Sequence, residues 1–181
     1  MILNARQNLF DFRFPKGFFF PEIEEKYKPY IRALPLPIDN VSDFINHTIQ
    51  SFRMPSISVP SAEQRISARR TLWRGGLPFH LLTDQKFSVT FKLTEGYVNY
   101  FIIYDQLRLF LEFSNEIEYL PTCKLRLLDY GGKEFVSIRL QQITMVGIGT
   151  LELSFTSALP QQANFTCDFT FNIFELDKEF Q

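Results

Sequence analysis

The chain has 181 residues, which is enough for one domain with a core of its own. Its 19 basic and 20 acidic side chains leave a formal net charge of -1, so it lacks the basic excess with which nucleic-acid-binding proteins grip phosphates. Apolar residues make up 45% and charged residues 22%, which excludes a disordered or fibrous chain and predicts one domain over residues 1–181.

Phenylalanine is unusually frequent, with 21 residues, and aromatic residues reach 16% of the chain. Because aromatic side chains are enriched in the cores of protein interfaces, we expect part of this surplus at contacts between subunits; filling of a barrel is the alternative. Cys123 and Cys167 lie in apolar, strand-like sequence and are expected to be free thiols in the core. Residues 1–14 contain no long apolar run, which predicts neither a signal peptide nor a membrane span and favours a cytosolic location.

The first quarter of the chain predicts one strand followed by two helices. Residues 9–14 alternate phenylalanine with other residues, as in a strand. Pro21 and the acids after it begin a helix that Pro29 is expected to kink or divide. A second helix follows from Val41, with Asp39 or Asn40 as its cap. Residues 15–49 are therefore interpreted as a Phe-rich, partly helical insertion or arm.

Three consecutive phenylalanines, Phe18, Phe19 and Phe20, lie in a loop flanked by glycine and proline. They are not expected to point into one core together. At least one of them should be covered by another chain or by the folded-back arm.

Two strands are predicted at residues 50–59 and 64–72, followed by a loop at residues 73–78, and the most basic segment of the chain spans the second strand and the start of the loop. It is a solvated hairpin face, or a loop that pairs with acids on a neighbouring subunit through the planar arginine fork. A nucleic-acid patch is disfavoured, because one short basic segment on a neutral protein gives little affinity for phosphates. The segment's basic residues and its one tryptophan are Arg65, Arg69, Arg70, Trp73 and Arg74.

The second half of the chain shows clearer periodicity. Residues 87–93 alternate as a half-buried strand, and residues 100–111 carry an apolar stripe at helical spacing. Further strands are predicted at residues 122–128, 135–145, 151–155 and 165–174. With one strong central helix among the strands, the fold class is mainly β with one central helix (α+β), an antiparallel β-barrel or sandwich.

Catalytic and ligand-binding motifs are missing from the sequence. His47, His80 and the two cysteines are too scattered for a zinc site. Residues 147–152 begin like a dinucleotide fingerprint but have Glu152 in place of the last glycine. The acidic residues lie in polar or terminal contexts that do not raise a carboxyl pKa. The sequence therefore predicts no catalytic, cofactor-binding or metal-ligating residue, and a protein that is not an enzyme.

One segment resembles a known family. Residues 87–100, in which an apolar strand runs into an acidic turn and an Asn-Tyr-bearing helix, resemble the strand-into-helix segment of tail-tube proteins of T4-like contractile phages, in the Hcp-like superfamily. Residues 146–155 and 165–174 are similar to their closing strands, and residues 52–57 to their first strand pair. Residues 65–78 occupy the place of their long inter-ring loop.

The resemblance implies a β-barrel that joins copies of itself edge to edge into hexameric rings, which stack into the tail tube of a virion. Sheath, baseplate or terminator proteins would be its partners, DNA would pass through the lumen without specific binding, and no membrane or cofactor is involved. Assembly would take place in the host bacterial cytoplasm. Since residues 16–47 exceed what compact members need, a tube-end, baseplate or terminator ring stays open, as does a secretion-system tube. A ligand-binding β-barrel is the rival class.

Two sets of residues are the candidate assembly surfaces. The expected contacts between subunits are Phe18, Phe19, Phe20, Arg65, Arg69, Arg70, Trp73 and Arg74. The expected channel wall is the polar side of the strand 165–174, which carries no lysine or arginine: Thr166, Asp168, Thr170 and Asn172.

Overall fold

The computed structural model describes residues 9–35, 37–54, 56, 61–66, 69–74, 85–113, 119–151 and 163–178, with residues 61–66 and 69–74 described as backbone only. Its elements in chain order are β1 (Phe10–Arg13), α1 (Pro21–Ala33), α2 (Val41–Thr48), β2 (Ile49–Arg53), β3 (Ser61–Ile66), β4 (Arg69–Arg74), β5 (Lys86–Lys92), α3 (Val98–Glu112), β6 (Cys123–Leu128), β7 (Glu134–Gln141), β8 (Thr144–Ile148), β9 (Asn164–Thr170) and β10 (Ile173–Lys178).

Two four-stranded sheets make up the body of the protein, and all of their strand pairs are antiparallel. The first sheet has the order β1-β6-β7-β10 and the second sheet the order β2-β5-β9-β8, while β3 and β4 form a separate hairpin. The apolar faces of the two sheets meet, as the 6.1 Å between the ring centroids of Phe12 and Phe87 shows. The predicted antiparallel α+β sandwich is therefore confirmed.

Two long strands predicted from the sequence are each divided between the two sheets. Residues 135–145 form parts of β7 and β8, and residues 165–174 form β9 and the start of β10. At the second corner the amide of Phe171 donates to Gln85 beside the second sheet, whereas the amide of Asn172 donates to Gln141 in the first. The apolar alternation of residues 165–173 continues through the second corner, so the sequence pattern does not show it. At the first corner the buried positions shift by one residue, from Ile138 and Leu140 to Ile143 and Met145.

The prediction of one strand over residues 64–72 is also wrong. The chain forms the hairpin β3–β4 there, in which Arg65 lies opposite Arg70 and Ile66 opposite Arg69. Trp73 and Arg74, expected in a loop, belong to β4. The predicted loop beyond them and the strand predicted at 151–155 lie largely outside the described residues.

Phenylalanine fills the interior of this chain. Twelve phenylalanines of the described residues are buried. Phe169 lies at the centre of the cluster, with its ring centroid 4.9 Å from that of Phe87 and 5.9 Å from that of Phe14. The space between the two sheets and the three helices thus takes up most of the described rings, and the placement of part of the surplus between subunits stays a prediction.

The three consecutive phenylalanines are all buried in the same core, with exposed fractions of 2%, 3% and 9%. Phe18 packs on Phe14 at a centroid distance of 4.4 Å, whereas Phe20 faces Phe113 beyond the end of α3. A turn at Gly17, whose φ is +81°, aims the side chains in different directions, and helices cover the loop on its outer side. The expectation that they cannot share one core is wrong for this reason.

Two side-chain amides fasten this loop to the helices. Gln106 on α3 accepts from the amide of Phe20 and donates to the carbonyl of Phe18, both at 3.0 Å. Asn46 on α2 makes the same two bonds with the backbone of Phe14, at 2.8 and 3.0 Å. Each side-chain amide bonds to one backbone N–H and one carbonyl, as a neighbouring strand would do. The buried backbone of the loop therefore keeps its hydrogen bonds. Residues 15–49 supply nine members of the main core cluster.

Helix α1 runs from Pro21 to Ala33 with Pro29 inside it, where a kink or two pieces was expected. Proline has no N–H, so the carbonyl of Glu25 has no hydrogen-bond donor at position 29. Pro29 and Glu25 both lie on the exposed side of the helix. Water can therefore satisfy that carbonyl, and the buried Ile23 and Ile31 hold the helix on its other side. Helix α2 begins as predicted, because Asn40 accepts a hydrogen bond from the amide of Asp43.

The junction between β5 and α3 depends on one buried residue, Asn99. Its Oδ1 accepts from the amide and hydroxyl of Thr94, and its Nδ2 donates to the carbonyl of Lys92 at 2.8 Å. Between them Gly96 has a φ of +71° and Tyr97 a φ of +59°, a left-handed turn that glycine adopts readily. Asn99 thus sets the angle at which α3 leaves the second sheet.

Helices α1 and α3 are joined by a charged contact at Asp105. Lys26 and Tyr27 both donate to its Oδ2, at 2.6 and 2.8 Å. Burial by itself would raise the pKa of Asp105, but the hydrogen bonds from these two residues and the charge of Lys26 outweigh it and lower the pKa below its ordinary value. The hydrogen bond to Asp105 in turn raises the pKa of Lys26.

This contact predicts a loss of stability in acid. Because the pKa of Asp105 is lower in the folded state, the unfolded chain binds the proton more readily, and stability falls as the pH drops below the unfolded value of about 3.9. We expect Asp105→Asn to remove this part of the decline and to cost about 1–2 kcal/mol at neutral pH. Lys26→Met should make the decline smaller, because it removes the hydrogen bond and the charge that lower the folded-state pKa of Asp105. Urea unfolding across a pH series tests this, and parallel curves for the protein and Asp105→Asn would contradict it.

Candidate functional site

The outward side of the second sheet is lined by small hydroxyl side chains. We call it the hydroxyl face, and it consists of Ser88, Thr90, Thr144, Thr166, Asp168 and Thr170. The strand register brings these residues together in directly opposed pairs across β5, β9 and β8. Because side chains alternate along a strand, the phenylalanines between them point into the core.

The members of the hydroxyl face bond to one another. Ser88 donates to Oδ1 of Asp168 at 2.6 Å, and the hydroxyls of Thr90 and Thr166 are 3.3 Å apart. The hydroxyls of Thr144 and Thr170 form a third hydrogen bond. Cross-strand pairs of this kind stabilise a sheet and keep the hydroxyl groups engaged with each other. The face is thus polar but has few groups turned towards a ligand.

Charge on this side of the sheet is confined mainly to its margins. Lys86 and Lys92 are exposed at the two ends of β5, and Arg53 lies opposite Ser88 on the edge strand β2. Asp168 is the acidic residue within the face, where it is exposed. The middle of the sheet therefore offers a phosphate no cluster of cations.

Three of the four residues predicted for the channel wall lie together on this face: Thr166, Asp168 and Thr170. The fourth, Asn172, does not, because the chain leaves the second sheet before it; its side chain donates to the hydroxyl of Tyr119. Sequence reasoning missed Ser88, Thr90 and Thr144. Their alternation with apolar residues is visible in the sequence, but only the register of β5, β9 and β8 places them beside β9.

The outward side of the first sheet is different in kind, because it is covered by ion pairs. Lys124 bonds to Glu134 at 2.7 Å, and Arg126 lies 3.5 Å from the same carboxylate. The hydrogen bond from Lys124 is the main cause of a lowered pKa for Glu134. Arg13 pairs with Asp11 at 2.8 Å. We call this side the charged face. The sandwich therefore has two outward sheet surfaces of opposite character.

Among the residues that the structure describes, each sheet ends in strands that pair with a strand on one side only. The edges of the second sheet are β2 and β8, and those of the first are β1 and β10. Strands at an edge carry backbone N–H and C=O groups that are available to another strand, so natural proteins cover them or use them. The hydroxyl face thus lies between two potential joining edges.

The basic hairpin β3–β4 stands apart as its own two-stranded unit. Its register places Arg65 directly opposite Arg70, with Ile66 opposite Arg69 and Ser61 opposite Arg74. Like charges at directly opposed positions repel each other. An acidic partner would therefore stabilise this hairpin. The arginine and tryptophan side chains predicted as contacts lie outside the described part of the structure.

Among the described residues, the side chains that could react or bind a metal are either far apart or buried. Cys123 and Cys167 are free, fully buried thiols whose pKa burial raises, and His47 is exposed on α2. Gly149, from the segment that begins like a nucleotide fingerprint, donates to the carbonyl of Thr166 at 2.6 Å, and a Cβ there would lie 3.1 Å from that oxygen. This glycine thus allows a close approach of two backbones. In the described ranges, no three metal-ligating side chains come together.

Within the described residues, no helix is both long enough and apolar enough to cross a membrane.

Comparisons with known proteins give matches among solved structures only. No protein-family model matches the chain, and no curated protein matches it. A chain of the sheath-tube complex of PVC, an extracellular contractile injection system, aligns with 10% identity over 83% of this chain and 97% of its own, at a TM-score of 0.46. A chain of the tube-terminating cap of the anti-feeding prophage aligns with 12% identity over 81% and 95%, at a TM-score of 0.47.

An Hcp protein is also similar, with 14% identity, coverage of 82% of this chain and 83% of its own, and a TM-score of 0.38. Components of contractile injection systems and an Hcp protein are thus among the solved structures to which this chain is similar.

Proposed function

We propose that this chain is a structural, non-catalytic subunit that assembles with copies of itself into hexameric rings, which stack into a tube for the passage of DNA. The observation that carries the proposal is the contrast between the two outward sheet surfaces. One is the self-bonded hydroxyl face with its single carboxylate, and the other is the charged face with its network of ion pairs. Such a contrast suits a wall with a lumen on one side and partner proteins on the other.

The hydroxyl face has the properties that a DNA channel requires. A surface rich in lysine and arginine would bind phosphates and retain the DNA, since each neutralised phosphate releases counterions. Hydroxyls that already bond to each other have little to offer a passing strand, and Asp168 repels phosphates electrostatically. The face is therefore polar enough to be wet and neutral enough not to adhere.

Ring formation would use the edges of the second sheet. If β8 of one copy pairs with β2 of the next, the sheet continues from subunit to subunit and both exposed edges are covered. Such a head-to-tail contact closes into a ring when the rotation fits. Six copies per ring is what the resemblance of the sequence to tail-tube proteins implies. The hairpin β3–β4 would reach acidic residues of a neighbouring subunit, which would relieve the repulsion between Arg65 and Arg70.

The remaining partners follow from this arrangement. With the hydroxyl face inward, the charged face lies outward and is available to a sheath protein, while baseplate or terminator proteins would meet the ends of the stack. The location would be the tail of a virion. A tube-end ring or a secretion-system tube would use the same surfaces.

Electron microscopy of the purified protein over a range of concentrations tests the proposal. We expect rings with a central hole at high concentration, and short tubes when partner tail proteins are added. Monomers at every concentration, with and without those partners, would contradict it.

A charge substitution in the hydroxyl face tests its role as the channel wall. We expect Asp168→Lys with Thr170→Lys to fold and to form rings, because both side chains point away from the core. Assembled rings of this variant should retain a short DNA duplex in a salt-dependent way, and particles that contain it should eject DNA more slowly. Fluorescence anisotropy of labelled DNA and an ejection assay are the measurements.

The matched control places the same change of charge on the other sheet. Glu175→Lys with Ile173→Lys replaces one acidic and one neutral outward residue of β10. This control should retain less DNA in its assembled rings than the hydroxyl-face variant. Equal DNA retention by the two variants, or normal ejection by the hydroxyl-face variant, would place the channel wall elsewhere.

A further inference from the structure

Helix α3 carries an exposed apolar stripe on its outward side. We call it the α3 stripe, and it consists of Tyr97, Phe101, Tyr104 and Leu111, which are 39%, 50%, 49% and 62% exposed. The spacing of Phe101, Tyr104 and Leu111, three and seven residues, places them on one side of the helix, and Tyr97 immediately precedes its first residue. Arg108 lies among them and is 3.8 Å from Glu112, so its charge has a counter-ion on the same helix.

The other side of α3 is buried in the core, through residues such as Ile102, Ile103 and Phe110. A helix with apolar residues on both sides is typical of one that is covered on both sides. With about half of each side chain exposed, and aromatic side chains burying about 150–250 Å² each, the stripe offers roughly 300–400 Å². That is nearly half of the ~800 Å² that each partner contributes to a standard interface. A patch of this size matches the largest apolar patch of a typical monomer, which is often functional.

The helix that carries the stripe lies beside one end of the second sheet. Helix α3 contacts β8, the edge strand of this sheet among the described residues, and it contacts α1 at Asp105. On β8 itself Val146 is 58% exposed, at the bulge between Met145 and Gly147. This end of the second sheet thus presents exposed apolar side chains on α3 and on its edge strand.

The other end of the same sheet presents a hollow. Beside the edge strand β2 lies a groove of about 310 Å³, between this strand and β1 and β6 of the first sheet. No charged residue lines this groove, whose lining is formed by Phe10, Ser51, Phe52, Met54, Leu125 and Leu127. We call it the β2 groove.

We propose that the α3 stripe of one copy is covered by the β2 side of the next copy, with side chains of the stripe seated in the β2 groove. The inference rests on the proposed self-assembly and identifies the surfaces that meet. The chain supplies a projecting apolar surface and a receiving one at opposite ends of one sheet, each beside a strand edge that needs a partner. Both are apolar, so their association desolvates no unpaired charge.

A second copy is the occupant that these features favour. A contact that pairs β8 with β2 and seats the stripe in the groove would cover all four features at once. Because each copy has one stripe and one groove, the contact is head to tail and continues from copy to copy.

A complementation experiment tests this contact. Phe101→Glu with Tyr104→Glu disables the stripe, and Ser51→Glu with Met54→Glu disables the groove; all four side chains are exposed, so both variants should fold. We expect each variant alone to be monomeric, with self-association weakened at least about 100-fold. An equimolar mixture should give a one-to-one heterodimer and nothing larger, because only one intact stripe and one intact groove remain to meet. Sedimentation velocity measures the masses, and circular dichroism checks the fold.

The control is Tyr130→Glu with Phe135→Glu, two exposed aromatic residues of the first-sheet hairpin, which should assemble like the unchanged protein. Normal assembly of the stripe variant, or a mixture that stays monomeric, would overturn the contact. If the heterodimer forms but the unchanged protein gives open fibres instead of tubes, the contact stands and the tube function fails. If tubes form with the stripe variant, the function stands and the contact fails. An unchanged protein that stays monomeric overturns both.

Discussion

Phe169→Ala is expected to lower the free energy of unfolding by about 3–5 kcal/mol, because it leaves a cavity at the centre of the core. The ring of Phe169 is 1% exposed and stacks on that of Phe87 with only 9° between their planes. The rings of Phe14 and Phe18 also contact that of Phe169, at centroid distances of 5.9 and 6.3 Å. Since these neighbours belong to different elements, each held by its own hydrogen bonds, the site cannot collapse around the cavity.

The control for this prediction is Phe135→Ala, a phenylalanine that is 46% exposed on the first sheet. It should cost only about 1 kcal/mol, since much less apolar surface leaves water there on folding. Urea unfolding of the monomer, followed by circular dichroism, measures both variants. Equal losses would mean that the phenylalanine cluster is not the packed core described, and that its rings serve association.

Gln106→Met is expected to cost about 2–4 kcal/mol, although the new side chain is apolar and similar in size. The side chain of Gln106 is fully buried, and its amide satisfies the N–H of Phe20 and the carbonyl of Phe18. Methionine offers neither bond, and each buried backbone group left without a partner costs about 1–3 kcal/mol. We also expect faster hydrogen exchange at the amide of Phe20, a readout that a simple packing defect elsewhere would not change.

The same substitution at an exposed glutamine is the control. Gln50→Met on β2 should change stability by less than about 0.5 kcal/mol, because that side chain is in water. If Gln106→Met is as stable as Gln50→Met, the loop 14–20 does not depend on the amide, and some other interaction holds its phenylalanines in the core.

The elements that sequence reasoning predicts well are those whose pattern is local. The alternation in β5, the Asn40 cap of α2 and the apolar periodicity near α3 all follow from neighbouring residues, and the structure confirms these elements. The corner at Asn172 is not predictable in this way, because apolar alternation runs through it. The corner at Gln142, where φ is positive, has a local signal, since the alternation shifts by one residue between Leu140 and Ile143.

Long-range contacts explain most of what the sequence misses. The burial of Phe18 to Phe20 depends on Gln106, which lies 86 residues from Phe20 along the chain. The α3 stripe is misread for a similar reason. Tyr104 and Leu111 belong to the predicted core stripe but lie outside, because the helix has two apolar sides and the sequence does not say which one faces the sheets.

The hydroxyl face shows the same division between local and long-range information. Its half on β9 is readable from the alternation of Thr166, Asp168 and Thr170 with buried residues. Its half on β5 and β8 depends on the register that sets Ser88 beside Asp168 and Thr144 beside Thr170. A sequence thus indicates that a strand has a polar side, but only the fold shows that three such sides form one surface.

The most direct test is a cryo-EM reconstruction of the assembled particle at a resolution that separates the strands. We predict a closed ring in which the hydroxyl face, with Thr90, Thr166 and Asp168 near its centre, lines the channel, and in which β8 of each copy lies beside β2 of the next. A channel lined by the charged face of the first sheet, or an assembly without a closed ring, would contradict the account.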